Sequence, residues 1–245
     1  WYCGCNTGAA GKTHRLTAYL TALETEIALI AGKLGGRGRV KNIAFGGGSP
    51  NAIAPVGFVR ILDRIFTTFS CEQPNISVEI DPRIFNPEWA ATLGHCGVSR
   101  VSFGVQSFSD HIQQAIGRIQ PVETIEDCIA QLRHVGINAF NFDLIYGLPR
   151  QSVSDLQATL DISIKLAPNR IALFGYAHMP NLFPRQRRIH DCDLPDSEQR
   201  FAMAAFGNRQ LTSAGYKAIG FDHFARPDDS LSIASAKGTL HRNFQ

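Results

Sequence analysis

Apolar residues recur along this chain with two alternating spacings. Stripes at intervals of three and four residues, over 16–30 and 59–69, predict amphipathic helices, and Pro55 marks the start of the second. Alternation with a period of two predicts short strands over 42–45, 76–81, 98–106, 137–146 and 170–176. Further helices are predicted near 87–95, 123–135, 153–166 and 196–214. The repeated order of helix then strand is typical of a parallel α/β fold.

The predicted strands have two different faces. The apolar face comprises Ile43, Phe45, Ile76, Val78, Ile80, Val101, Phe103, Val105, Phe140, Phe142 and Leu144. The small or polar face comprises Asn42, Gly46, Ser77, Glu79, Asp81, Ser102, Gly104, Gln106, Asn141 and Asp143. A closed barrel fills its interior with bulky side chains, and an open sheet covered on both faces is apolar at both parities. The pattern therefore predicts a wide or incomplete barrel with a ligand in its lumen.

The polar positions concentrate near the carboxyl ends of the predicted strands, which form the active face of α/β barrels. They include Glu79, Gln106, Asp143 and the glycine run 46–48. Three consecutive glycines let a backbone approach a ligand closely, although the same run could form only a tight turn. Acidic side chains inside a strand need a partner, so Glu79 and Asp143 should face a cation, a hydroxyl group or a ligand amine.

Composition excludes several classes of protein. The chain has 245 residues, 44% of them hydrophobic and 18% charged, which suffices for one large folded core. A net charge of +3 is too small for a nucleic-acid-binding surface. The basic runs 35–39 and 185–188 are interpreted as solvated loops, although the second could also contact an acidic ligand. No apolar run reaches membrane-spanning length, so we expect a cytoplasmic protein without nucleic-acid or membrane partners.

Two of the six cysteines, Cys3 and Cys5, lie one residue apart. Cysteines this close commonly share a metal, and a four-iron cluster takes thiolates at short loop spacings. Because the chain begins two residues before Cys3, we expect it to be a fragment that lacks the front half of such a loop. Zinc is the alternative, but its usual two-residue spacer and second ligand pair are absent. Small buried hydrophobes are the interpretation of Cys71, Cys96, Cys128 and Cys192.

Residues 6–13 nearly match the phosphate-binding loop G-x-x-x-x-G-K-[ST]. The first glycine is missing, and the cysteine pair stands where that loop requires a strand. We therefore interpret Lys12 as an exposed charge and disfavour nucleotide hydrolysis.

Several longer blocks together resemble one enzyme family. They are WYCGCN at 1–6, GGGSP at 46–50, ISVEIDP at 76–82, SFGVQSF at 102–108, FDLIYGLP at 142–149, YAH at 176–178, FDHFARPDD at 221–229 and HRNFQ at 241–245. In this order, over the whole chain, they resemble oxygen-independent coproporphyrinogen III oxidase, a radical S-adenosylmethionine (SAM) family. That family's C-x-x-x-C-x-x-C-x-C loop is present here only as its last two cysteines.

The resemblance implies an α/β fold, a partial (β/α)6 TIM-like barrel truncated at both ends. Its first strand and its C-terminal domain would be missing. Residues 1–220 would form the radical SAM core, and residues 221–245 would begin the segment leading to the missing domain. We expect this fragment to be inactive and its full-length parent to be active without oxygen.

The resemblance also implies the reaction, which is oxidative decarboxylation of two propionate side chains of coproporphyrinogen III to vinyl groups. The product is protoporphyrinogen IX, a haem precursor, and the mechanism uses a 5'-deoxyadenosyl radical. The implied cofactors are a [4Fe-4S] cluster and two SAM molecules per protein. An unidentified electron donor and acceptor would take part, and the protein would be a monomer.

Individual residues match the family's motifs. Cys3 corresponds to the third cluster ligand, and Cys5 to an extra cysteine that is not among the three ligands. Tyr2, Gly47 and Glu79 would help to bind the cluster-bound SAM. The positions implied for the second SAM are Gly48, Ser49, Gln106, Arg118, Asp143 and Ala177. Arg118 could pair with a carboxylate in forked geometry, whereas from its local sequence alone it would be a surface helix residue.

A haem chaperone and a barrel hydrolase are the alternatives to the oxidase. A related haem chaperone shares the barrel and the cluster, but an aromatic residue stands where this chain has Cys5, and the blocks at 222–229 and 241–245 favour the oxidase. A barrel hydrolase would need a nucleophile and base at strand ends, and no such pair is apparent. His178, His223 and His241 could each contact a tetrapyrrole carboxylate or satisfy a local hydrogen bond, and the sequence leaves both options open.

Overall fold

The computed structural model describes residues 2–4, 13–220 and 222–241. Cys5, the loop containing Lys12, Phe221 and most of the block 241–245 lie outside the described residues. The described chain forms two compact units. The first unit contains residues 13–102 and 127–138, and the second contains residues 2–4, 103–126, 139–220 and 222–241. The predicted domain boundary at residue 220 stays a prediction.

Seven strands are present in the described part of the chain, in the sheet order β1-β2-β3-β4-β5-β7-β6. They are β1 (Arg39–Phe45), β2 (Ser70–Ile80), β3 (Arg100–Gln106), β4 (Phe140–Tyr146), β5 (Arg170–Gly175), β6 (Lys217–Gly220) and β7 (His223–Ala225). The pairs β1/β2 and β4/β5 are parallel, as predicted, whereas β7 pairs antiparallel with both β5 and β6. The five strands predicted from alternation all exist.

The helices are α1 (Thr13–Leu34), α2 (Pro55–Thr68), α3 (Pro87–His95), α4 (Asp110–Ile116), α5 (Val122–His134), α6 (Val153–Leu166), α7 (Ser197–Ser213) and α8 (Ser230–Ala236). Capping residues explain three of the starts. Asn86 accepts a hydrogen bond from Trp89 N, and Ser152 and Asp196 each form a capping box. Among the described helices, none combines the length and the hydropathy that a bilayer crossing requires.

Aromatic side chains from the predicted apolar face form the core of each unit. In the first unit, Phe58 packs against Phe45 at a ring-centroid distance of 4.6 Å and against Trp89 at 5.5 Å. In the second unit, Phe103 packs against Phe140 and Phe142 at 5.8 and 5.9 Å. These contacts confirm that the apolar parity faces the helices and the core.

Asp81 departs from the predicted polar face. It is 7% exposed, and its carboxylate accepts hydrogen bonds from the Arg83 backbone N–H and from the Arg83 guanidinium. Asp81 follows the last residue of β2, so the alternation of the strand no longer applies to it. It caps a short 3-10 turn instead of lining the polar face of the strands.

The isolated cysteines differ in burial, and Cys71 and Cys96 are half-buried. Cys128 is buried, and burial, helped by Asp127 and Asp81, raises the pKa of its thiol to about 12. Cys128 is therefore the small buried hydrophobe that was expected. Cys192 is exposed within the 3-10 turn Asp191–Asp193, so the same expectation is wrong there.

A buried ion pair joins β5 to α8 in the second unit. Arg170 Nε lies 2.9 Å from Asp229 Oδ1 and 3.0 Å from Oδ2. Asp229 also accepts a hydrogen bond from Leu231 N, and its side chain is 1% exposed against 21% for Arg170. The carboxylate thus has both a charge partner and a helix N-terminus, two interactions that compensate for its burial.

Replacing Asp229 by Ala should lower the free energy of unfolding by about 3 kcal/mol. The substitution leaves the largely buried Arg170 guanidinium without its charge partner and removes a helix cap. Asp228→Ala is the matched control. Asp228 is 75% exposed and lies 3.5 Å from Arg226, so its loss should cost less than about 0.5 kcal/mol. Urea unfolding midpoints check the difference, and equal effects of the two substitutions would contradict it.

Candidate functional site

The glycine run follows β1 and lies under a carboxylate of β2, all within the first unit. Gly47 N–H points to Glu79 Oε2 at 3.3 Å, and Gly47 has a φ of 81°. A Cβ added at Gly46 would lie 2.6 Å from Glu79 Oε1. The absence of a side chain at Gly46 leaves this space for the carboxylate. The run is therefore more than a tight turn, because it lets Glu79 lie directly on the loop backbone.

Glu79 presents a carboxylate at an exposed position of β2, one residue before the strand ends. A Cβ added at Gly47 would meet nothing within 4 Å. The loop backbone is thus accessible beside an acidic acceptor. Such an arrangement suits a ligand that carries an amine next to a carboxylate or a carbonyl group.

Asn51 holds this loop in place. Its Nδ2 donates to Asp81 O at 2.9 Å, and its Oδ1 accepts from Asp81 N at 2.9 Å. Asn51 is 4% exposed. Its carboxamide gives the N–H and C=O groups of Asp81 the hydrogen bonds that a neighbouring strand would otherwise supply. Asn51 was not predicted from the sequence, because a single polar residue after Pro50 carries no periodic signal.

The other polar residues of the glycine loop are less constrained. Ser49 precedes the 3-10 turn Pro50–Ala52 and makes no side-chain capping bond to it. Gly48 is exposed and Ser49 is half-buried. Both remain near the carboxyl end of β1, where the sequence placed them.

Gln106 and Arg118 lie together in the second unit. A Cβ added at Gly104 would come within 2.8 Å of Gln106 Nε2 and 3.4 Å of an Arg118 guanidinium nitrogen. Gln106 ends β3 with a φ of 67° and is 8% exposed. Arg118 is half-buried and follows Gly117, the C-cap of α4, so it is not a surface helix residue. The structure therefore brings together two residues that are 12 positions apart in sequence.

A second carboxamide, that of Gln113, fixes the loops around this pair. Its Nε2 donates to Ser107 O at 3.0 Å and to Gln120 O at 2.7 Å, and its Oε1 accepts from Gln120 N at 2.7 Å. Gln113 is 2% exposed. It therefore ties the segment after Gln106 to the segment after Arg118 through buried bonds.

Asp143, Ala177 and Tyr2 also belong to the second unit. Asp143 is half-buried on β4, and its Oδ1 accepts from Asn141 Nδ2 at 2.8 Å on the same strand face. Ala177 is exposed just beyond β5. The backbone carbonyls of Tyr2 and Ala177 both accept from Gln186 Nε2, at 2.7 and 3.0 Å. Cys3 is half-buried between Tyr2 and the exposed Gly4.

His178 has two local partners in the structure. Its Nε2 lies 3.0 Å from Asp191 Oδ1, and its Nδ1 lies 3.0 Å from the hydroxyl group of Tyr176. Burial raises the pKa of Tyr176 to about 12, so this hydroxyl stays protonated and can donate to the imidazole. His223 packs edge-on against Phe174 at 5.5 Å, and His241 is exposed.

Comparison with known proteins shows the family to which the chain belongs. Residues 1–162 match the radical SAM superfamily. The chain belongs to the radical SAM superfamily. Its similarity extends further, since the chain is 44% identical over 246 aligned residues to oxygen-independent coproporphyrinogen III oxidase of Bradyrhizobium diazoefficiens. It is 38% identical to the protein of the same name from Escherichia coli K12. These alignments cover 100% of this chain but 55% and 54% of the relatives, so the chain spans about half of their length.

Solved structures show the same fold. The chain superposes on coproporphyrinogen III oxidase from Escherichia coli, described as a radical SAM enzyme, with a TM-score of 0.93 and 37% identity. The match covers 99% of this chain and 56% of that one. Archaeal Elp3 from Methanocaldococcus infernus matches with a TM-score of 0.57 at 14% identity, which shows the fold alone. The predicted partial, TIM-like α/β barrel of this superfamily is thereby confirmed.

Membership of the radical SAM superfamily implies a [4Fe-4S] cluster and SAM. The described residues fit the amino acid end of SAM, because Glu79 offers an acceptor beside accessible glycine backbone. Cys3 is disulfide-bonded in this structure, and once reduced it would supply one thiolate of the kind that binds such a cluster. Among residues 2–4, 13–220 and 222–241, no group of three His, Cys, Asp or Glu side chains is placed to hold a metal ion.

Replacing Asn51 by Asp should lower the free energy of unfolding by about 2 kcal/mol, because Asp81 O loses its buried donor and faces a carboxylate instead. The penalty should shrink at about pH 5 relative to about pH 8, since a protonated carboxyl group can donate again. Asn75→Asp on the exposed side of β2 is the control and should cost less than about 0.5 kcal/mol. If urea unfolding shows equal losses for both variants, Asn51 does not hold the loop.

Proposed function

We propose that the full-length protein is an oxygen-independent coproporphyrinogen III oxidase. It would convert two propionate side chains of coproporphyrinogen III to vinyl groups and release protoporphyrinogen IX for haem biosynthesis. The observation that supports this most directly is a match to the Escherichia coli enzyme over 99% of the chain, at 37% identity. Identities of 37–44% to curated proteins of that name agree with it.

The bound groups would be one [4Fe-4S] cluster and two SAM molecules. Cys3 is the proposed cluster ligand, and Tyr2, Gly47 and Glu79 are the proposed contacts of the first SAM. When bound, these groups supply the 5'-deoxyadenosyl radical that removes a hydrogen atom from a propionate. The proposed contacts of the second SAM are Gly48, Ser49, Gln106, Arg118, Asp143 and Ala177.

The chemistry of each side chain supports its assignment. Glu79 can accept hydrogen bonds from an α-amino group while the glycine backbone contacts the adjacent carboxylate. Arg118 can bind a carboxylate through two parallel N–H bonds. Asp143 can accept from a ribose hydroxyl or from an amine. These residues would bind and orient SAM. The packed cores of the two units help to exclude water from a reactive site.

Loss of carbon dioxide leaves one electron to be removed from each propionate. An electron donor must also reduce the protein before each turnover. We therefore propose two redox partners of unidentified nature, and we expect a cytoplasmic monomer without nucleic-acid or membrane partners.

The full-length gene product, kept anaerobic with SAM, a reductant and coproporphyrinogen III, should form protoporphyrinogen IX. Cys3→Ser should lower iron content and turnover at least about 100-fold, since even outer partners of a metal site contribute 10- to 100-fold. Cys192→Ser is the matched control because Cys192 is an exposed thiol, and it should leave both unchanged.

Chromatographic detection of the vinyl product and iron analysis check this prediction. Tight haem binding without any turnover by the unmodified protein would contradict the oxidase and favour the haem chaperone. Full iron content in Cys3→Ser would contradict the role of Cys3 alone.

Replacing Glu79 by Gln should weaken SAM binding about 10- to 100-fold, because a bond to a charged amine loses its ionised acceptor. Glu72→Gln lies on the same strand at an exposed position and should leave the affinity unchanged. Equilibrium dialysis with labelled SAM measures both variants. Equal affinities would remove Glu79 from the proposed site while leaving the reaction itself untested by this measurement.

A further inference from the structure

A buried glutamine interrupts the basic run after β5. The 3-10 turn Pro184–Arg188 exposes Arg185, Arg187 and Arg188, yet Gln186 between them is 1% exposed. A polar side chain at this depth needs hydrogen-bond partners. Its position within a charged run suggests that it serves the interior of the protein and not the surface.

The side chain of Gln186 forms three hydrogen bonds within the second unit. Its Nε2 donates to Tyr2 O at 2.7 Å and to Ala177 O at 3.0 Å. Its Oε1 accepts from Met179 N at 2.6 Å. Both amide hydrogens are therefore used, and they join the residue before Cys3 to the residue after Tyr176.

A second contact fastens the same short segment. A Cβ added at Gly4 would lie 2.7 Å from Phe183 Cζ and 2.8 Å from Phe183 Cε2. The ring thus covers the backbone directly after Cys3, and only glycine permits this approach. Phe183 and Gln186 belong to the same segment, which we name the 179–189 segment.

The 179–189 segment is itself anchored at its C-terminal end. Ile189 is 5% exposed and belongs to an apolar cluster that also contains Ile112, Leu148 and Tyr176. The ring of Tyr2 packs against that cluster. The segment and the residues around Cys3 therefore share one rigid support.

We propose that Gln186 is a positioning residue that fixes residues 2–4, and with them the Cys3 side chain, relative to the end of β5. Residues 2–4 lie in no helix or strand, so side-chain bonds to their backbone contribute to its order. That this order serves a cluster ligand rests on the proposed function. The bonds themselves do not depend on it, which allows the two to be tested separately.

Amide hydrogen exchange tests the placement without any cofactor. The full-length gene product is prepared free of iron and compared with Gln186→Met, which removes all three bonds, and Gln186→Glu, which keeps only the acceptor. Exchange in a peptide covering residues 2–4 should accelerate about 10-fold in both variants. Gln157→Met and Gln157→Glu, at an exposed position of α6, are the controls and should leave it unchanged. Exchange in β4 should stay the same in all variants.

A second pair of variants keeps the proposal testable if Gln186 variants fold poorly. Gly4→Ala should accelerate exchange in the same peptide, because its methyl group would overlap the Phe183 ring. Adding Phe183→Leu should restore slow exchange by making room for that methyl group. Gly32→Ala in α1, where an added Cβ meets nothing within 4 Å, is the control.

Iron-loaded protein then tests the link to the cluster. Release of iron to a chelator should be about 10-fold faster in Gln186→Met than in the unmodified protein, as for other outer partners of metal sites. The change that SAM induces in the paramagnetic resonance spectrum of the reduced cluster should also diminish. A residue with only a general structural role would not alter that spectrum.

The outcomes separate the two hypotheses. If the unmodified protein binds no cluster, the proposed function fails, whereas the exchange result still decides whether Gln186 positions residues 2–4. If the unmodified protein binds a cluster but both Gln186 variants leave exchange and iron release unchanged, the positioning role is overturned.

Discussion

Buried carboxamide side chains hold the loops at the ends of the strands, and the geometry of the candidate site depends on them. A strand can pair its peptide groups with a neighbour, but a loop that turns away from the sheet cannot. Leaving such a group buried and unpaired costs about 1–3 kcal/mol. Asn51, Gln113 and Gln186 each supply both a donor and an acceptor where a strand neighbour is missing. Each joins two segments that carry proposed ligand contacts.

Small residues complete the same arrangement. Gly46 leaves room for the Glu79 carboxylate, and Gly104 leaves room for Gln106 and Arg118. Carboxamides therefore set the loop positions and glycines set the distances of closest approach. One face of the strands can therefore stay polar while the opposite face is packed. The ligand-binding side chains need not be buried, because hydrogen bonds to the surrounding loops hold the site in place.

Much of the fold followed from local pattern. The predicted helices and strands all exist, and the apolar parity lies in the core, because burial of one face imposes a fixed period on the chain. The short elements α4, α8, β6 and β7 were not predicted, since each has too few residues to show a period. Cys192 was expected to be buried and is exposed, and Asp81 was assigned to the polar strand face but caps a turn. In both cases the residue lies just beyond, or far from, a periodic segment.

By itself, the sequence determined the order of elements, the face of each strand that is buried, and the likeness to the radical SAM superfamily. Neighbouring residues and short motifs determine these properties. Only the tertiary structure decided which polar residues are interior. Gln186 looks like part of a basic surface run, yet it bonds to Tyr2, 184 positions away. A hydrogen bond between segments so distant depends on where the chain places two backbones, and no local spacing encodes that.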